Sequence, residues 1–108
     1  MSDAPISLSI VIPAYNEERR LPDTLSTLAA FLETTGWSWD LVVVDDGSID
    51  RTAALAEQAA RREPRVRVLR EPHRGKGGAV KAGMLAATGS FRFLCDADLS
   101  MPARELPR

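Results

Sequence analysis

Asp96 and Asp98 stand at the end of an apolar run, Phe91-Arg92-Phe93-Leu94-Cys95, with one residue between the two carboxylates. If that run is a buried strand, alternation aims both side chains the same way at the strand's carboxyl end. Hard oxygen ligands so placed suit Mg²⁺ or Mn²⁺, which keep several waters and take further ligands from a substrate's phosphates. Two more polar clusters sit after apolar runs: Tyr15-Asn16-Glu17 and Asp45-Asp46. Carboxylates near a nucleotide repel its phosphates unless a metal intervenes, so two tasks are expected of them. Asp46 suits hydrogen bonding to a base N–H or to ribose hydroxyls. Asp98 suits the metal, with Asp96 shared between ribose and metal. Tyr15 can lay its ring on a planar base while its hydroxyl stays wet. Lys76 lies in Gly75-Lys76-Gly77-Gly78, just before a helical stretch, and can neutralise phosphate oxygens near that helix's positive end.

Plainer roles compete for the same residues. Asp45, Asp46 and Asp50 can cap a helix or shape an Asx turn. Glu17 and Glu18 are favourable charges at a helix start. Lys76, beside glycines, reads from its local sequence as a solvated loop lysine, and His73, beside Pro72, as a surface residue. The glycine loop is not a Walker loop, because the Lys-Ser/Thr ending is missing.

The surrounding pattern says what must hold these groups in place. Residues 6–12 are rich in β-branched side chains and read as a buried strand ended by Pro13, which cannot donate to a central ladder. Leu21, Leu25, Leu28, Phe31 and Leu32 recur at helical spacing, with Pro22 near the first turn and Gly36 as the stop. Residues 41–44, Leu-Val-Val-Val, form the continuous apolar run of a parallel strand buried on both faces. A helix over 53–62 follows, capped by Ser48 or Asp50 and closed by Pro64. Residues 66–69 alternate with arginine and read as a strand nearer an edge. A loop over 71–78 leads to a third helix from Ala79 to about Ala87, and then to the Asp-x-Asp strand. The order βαβαβαβ with short connections predicts an α/β fold, a Rossmann-like parallel sheet with flanking helices. Ligands of such sheets lie beyond the carboxyl ends of the strands, at the point where strand order reverses. All three polar clusters fall at such ends and can converge on one crevice.

The chain has 108 residues and a net charge of −1, so no broad field argues for nucleic acid or an anionic membrane. One cysteine, Cys95, excludes an internal disulfide, fits a reducing, cytoplasmic-type compartment, and reads as a buried inert thiol. No apolar run approaches the roughly 20 residues of a membrane span, and the first residues lack the regions of a signal peptide. Only ten residues follow Asp98, two of them prolines, so the domain is expected to be truncated after the Asp-x-Asp motif.

Val11-Ile12-Pro13-Ala14-Tyr15-Asn16-Glu17-Glu18, Val43-Val44-Asp45-Asp46-Gly47-Ser48-Ile49-Asp50-Arg51-Thr52 and Asp96-Ala97-Asp98-Leu99-Ser100 resemble the successive motifs of family 2 glycosyltransferases of GT-A fold. The resemblance spans about residues 6–102. Gly75-Lys76-Gly77-Gly78-Ala79-Val80-Lys81-Ala82-Gly83-Met84 is similar to the dolichyl-phosphate β-glucosyltransferase group, with the polyprenyl-phosphate mannose synthases as near cousins. The resemblance implies that residues 1–108 are the N-terminal, nucleotide-sugar-binding part of one GT-A domain. It implies transfer of a hexose from a nucleotide-diphospho-sugar, UDP-glucose ahead of GDP-mannose, to a polyprenyl or dolichyl phosphate or another glycan or lipid acceptor. By position, Pro13, Tyr15, Glu17 and Asp46 would line the nucleoside pocket, and Asp96 and Asp98 would be the metal-binding pair. Ser100 stands where mannose synthases tend to carry a glutamine, which weighs against mannose. The general base of inverting members lies downstream of the motif, so no catalytic residue is assigned before Arg108, and this chain is expected to bind donor without transferring sugar. Relatives also imply association with the cytoplasmic face of a membrane through regions absent here. Two other classes remain open: a phosphatase or phosphotransferase with Asp96 as nucleophile, and a non-catalytic nucleotide-binding module.

Overall fold

The computed structural model describes residues 7–97, and Asp98 lies outside them. Four parallel strands, β1 (Ser7–Ala14), β2 (Ser38–Asp46), β3 (Val66–Glu71) and β4 (Phe91–Leu94), form a sheet of order β3-β2-β1-β4. Between them run α1 (Leu21–Glu33), α2 (Thr52–Arg62) and α3 (Lys76–Ala86). The chain lays down three strands in one direction and then returns to the far side of β1, so strand order reverses between β1 and β4.

Alternation along β1 and β2 divides the core in two. Ile10, Ile12, Leu41 and Val43 face α1 and α2, meeting Leu21, Leu25, Leu28, Leu32 and Ala56. Val11, Val42 and Val44 face α3, meeting Ala79 and Ala87. The α3 side is thin because the helix sits close: a Cβ on Gly83 would collide with Val11 Cγ1 and lie 2.9 Å from Val44 Cγ2. That proximity brings the amino end of α3 over the carboxyl ends of β1 and β2.

Several boundaries differ from the sequence expectation. Pro13 does not end β1; the strand runs on to Ala14, with Pro13 paired to Val44. The reason lies in the ladder. Val11 turns its carbonyl toward β4, where it accepts the Cys95 N–H at 2.9 Å, and Pro13 shares that side two residues later. The pairing of β1 with β4 stops at Val11, so the missing proline N–H faces a side with no partner strand to require it. Helix α3 starts at Lys76 rather than Ala79, which puts Gly77 and Gly78 in its first turn. Its entry depends on Gly75 at φ +96, a conformation closed to most side chains. β4 is a short edge strand with Phe91 47 % exposed, not a buried one. Cys95 is fully buried, as an inert thiol should be.

Candidate functional site

A cavity of about 370 Å³ opens at the carboxyl ends of β1, β2 and β4, at the reversal of strand order. Each wall comes from a different element. Pro13, Tyr15 and Glu17 come from the end of β1 and its loop, Asp46 ends β2, and His73 and Lys76 belong to the segment entering α3. Asp96 follows β4. Residues far apart in sequence thus share one crevice because parallel strands expose all their carboxyl ends on the same edge.

The loops after β1 and β2 are stitched together. Asn16, at φ +54, donates its N–H to Ser48 Oγ at 2.9 Å, and its Oδ1 accepts the Ile49 N–H at 3.0 Å. Thr52 Oγ1 accepts the Glu17 N–H at 2.8 Å, while Glu18 Oε1 accepts the Arg51 N–H at 2.9 Å. Asp50 accepts N–H bonds from Thr52 at 2.9 Å and Glu18 at 3.3 Å. Burial pushes the Asp50 carboxyl up, but these bonds and the Thr52 hydroxyl hold it below its ordinary value. The N-cap position of α2 is Arg51, without a side-chain cap bond, so neither expected cap holds it: Asp50 sits one residue earlier and accepts the Thr52 N–H, and Ser48 serves the neighbouring loop. This clamp fixes the backbone that follows Tyr15.

Asp46 anchors a second loop. Its Oδ1 accepts the Arg74 N–H at 2.9 Å, and its Oδ2 accepts the Gly75 N–H at 3.0 Å and the His73 ring at 2.9 Å. The Arg74 bond is the chief cause that holds this carboxyl below its ordinary value; burial opposes it, and Gly75 and His73 reinforce it. Gly47 makes the close approach feasible, since a Cβ there would lie 2.7 Å from the His73 backbone nitrogen. The His73 ring stacks on Tyr15 with centroids 4.2 Å apart and planes 20° from parallel. Across the cavity, Lys76 Nζ pairs with Asp96 Oδ1 at 2.6 Å. The segment after β4 is tied back to α1 by a bond from the Thr24 hydroxyl to the Ala97 carbonyl.

The structure thus brings together Pro13, Tyr15, Glu17, Asp46, Lys76 and Asp96, and leaves Asp45 out. Asp45 precedes Asp46 on the strand, so its side chain turns to the α1/α2 face, where Oδ2 accepts the Ser48 N–H at 3.3 Å. His73 is the residue that sequence reasoning set aside. A histidine in the loop after a parallel strand was the available signal, but its partners Tyr15 and Asp46 are remote in sequence.

Residues 9–108 match the family model described as glycosyl transferase family 2. The chain belongs to that family. It is 43 % identical over 107 residues to a dolichyl-phosphate beta-glucosyltransferase of Drosophila melanogaster, covering 91 % of this chain and 33 % of that protein. It is 40 % identical over 111 residues to an undecaprenyl-phosphate 4-deoxy-4-formamido-L-arabinose transferase of Pseudomonas paraeruginosa (strain DSM 24068 / PA7), covering 100 % of this chain and 33 % of that protein. Among solved structures, it is similar to the mannosyltransferase PcManGT from Pyrobaculum calidifontis in complex with GDP-Man and Mn²⁺. That likeness has a TM-score of 0.76 and 26 % identity, covering 94 % of this chain and 30 % of the other. The chain spans about a third of the length of the curated relatives it matches. The GT-A architecture expected from the sequence motifs is the architecture present, and no described helix is long and apolar enough to cross a membrane.

Proposed function

We propose that this chain forms the donor-binding part of a hexosyltransferase. The donor is a nucleoside-diphosphate sugar, UDP-glucose ahead of GDP-mannose, and the acceptor a polyprenyl or dolichyl phosphate. The observation that carries this reading is the convergence of Tyr15, Asp46, Lys76 and Asp96 on one cavity at the reversal of strand order. Its volume is in the range of small-ligand pockets. The Drosophila and Pseudomonas relatives support the choice of acceptor, and the GDP-Man complex of PcManGT supports the class of donor.

Within the cavity the residues divide by chemistry. Tyr15, Pro13 and His73 offer flat and apolar surface to a nucleoside, and Asp46 offers a carboxylate acceptor beside it. The amino end of α3 and the Lys76 ammonium offer positive charge to a diphosphate. Asp96 and Asp98 would hold Mg²⁺ or Mn²⁺. Asp96 fits such an ion: its Oδ1 faces the cavity and already carries a cation, the Lys76 ammonium. When bound, the ion supplies charge neutralisation to the leaving nucleoside diphosphate.

Calorimetric titration of the chain with UDP, UDP-glucose and GDP-mannose, with and without Mn²⁺, tests this. Metal-dependent binding that is lost in Asp96→Ala is expected. A folded chain that binds none of the three would sink the donor-site reading.

A further inference from the structure

His73 does more than close the loop on Asp46. Its Nδ1 lies 2.9 Å from Asp46 Oδ2 and 3.1 Å from the Asp46 carbonyl oxygen. Both partners are acceptors, so Nδ1 carries the hydrogen. In the neutral ring Nε2 is then the unprotonated nitrogen, an acceptor on the far side of the imidazole. Among the described residues Nε2 has no protein partner, and the side chain is 54 % exposed where it lines the cavity. Stacking on Tyr15 fixes the plane of the ring and therefore the direction of that lone pair. The neighbouring carboxylate of Asp46 is also acceptor-only, and its Oδ1 takes a single N–H bond.

We propose that His73 is a specificity-determining residue of the nucleoside pocket, presenting Nε2 as an acceptor that selects bases carrying a ring N–H. Uracil has such a donor at N3, and guanine has one at N1. Cytosine at N3 and adenine at N1 present a lone pair instead, which would face a lone pair here and leave both unpaired. The cavity therefore takes uridine or guanosine diphosphates in preference to cytidine or adenosine diphosphates. This inference rests on the donor-binding role proposed above.

Uracil and cytosine are nearly equal in size, so UDP against CDP isolates the hydrogen. The test measures binding of both to the full chain with Mn²⁺ at pH 8. Two variants separate the parts of the side chain. His73→Phe keeps a ring against Tyr15 and loses both nitrogens. His73→Asn keeps a donor for Asp46 and is too short to place an acceptor where Nε2 stands. The wild type is expected to favour UDP, and each folded variant to lose about three- to tenfold of that preference, the range of one hydrogen bond. If His73 serves only to anchor the loop, His73→Asn restores the wild-type ratio, and that result overturns the proposal. A wild type that binds UDP and CDP equally overturns it as well while leaving the donor site standing. A folded wild type that binds neither removes the donor site and this role together.

Discussion

Replacing Asp46 by asparagine tests the link between the site's charge and the loop that shapes it. The carboxylate receives three donors: the Arg74 N–H on Oδ1, and the Gly75 N–H and His73 Nδ1 on Oδ2. An asparagine has one acceptor oxygen. Its best orientation places that oxygen where Oδ2 was, keeping two donors and turning an NH₂ group toward the Arg74 N–H. An unsatisfied N–H costs about 1–3 kcal/mol when buried. Because Arg74 is itself exposed, water can reach part of this loop and the lower half of that range applies, about 1–2 kcal/mol. For a domain of this size that is a fall in Tm of roughly 5–15 °C. The deficit must also depend on pH. Asp46 is held below its ordinary pKa in the folded protein, so its contribution is complete above the unfolded value and is lost as pH falls through the folded one. Asparagine has no such dependence. The gap between wild type and Asp46→Asn should be full at pH 7.5 and narrower at pH 3. Denaturant melts at both values measure it. Equal stability at pH 7.5, or a gap that does not narrow in acid, refutes the assignment of Asp46 as an ionised anchor.

Other perturbations address the remaining contacts. Gly83→Ala drives a methyl into Val11 and Val44, whose branched side chains have little rotamer freedom, so overpacking of about 1–3 kcal/mol should exceed the helix-propensity gain; a thermal melt at or above wild type would show that α3 sits farther from the sheet. Lys76→Met removes the ammonium paired with Asp96 Oδ1. Because that pair is 59 % and 36 % exposed it contributes at most about 1 kcal/mol, so affinity for Mn²⁺ alone should rise by no more than about fivefold while affinity for UDP falls; calorimetry should resolve the opposite signs, and a fall in both would show that Lys76 does not compete for that carboxylate. Thr24→Val frees the Ala97 carbonyl, and hydrogen exchange of the amides just after β4 should quicken while those of β1 keep their protection. Glu63, bonded through its side chain by Arg65, should titrate at about 2 by carbon-detected NMR, and an ordinary value would mean the pair is not formed in solution.

The order of elements was legible because residues 41–44 are apolar without interruption and the leucines of α1 keep helical spacing. These local patterns answer to burial on both faces of a strand and on one face of a helix. The ends of the elements were less legible. Pro13 reads as a stop, yet whether its missing N–H matters depends on which neighbour lies on that side, and only the early end of β4 decides it. Lys76 reads as a loop residue because glycines surround it, and the helix reaches it through Gly75 at φ +96.

The residue types of the site were set by the sequence alone: carboxylates, a tyrosine and a lysine after apolar runs, at the edge where a parallel sheet opens. Tertiary structure decided their partners. Asp45 and Asp46 are indistinguishable neighbours in sequence, but a one-residue step on a strand sends one to the α1/α2 face and the other into the cavity. His73 joins Tyr15 and Asp46, and Lys76 joins Asp96, because the sheet places β1, β2 and β4 side by side and Gly83 lets α3 lie close against them. Local periodicity reports burial along one segment; contacts between segments arise only once strand order and helix approach are set.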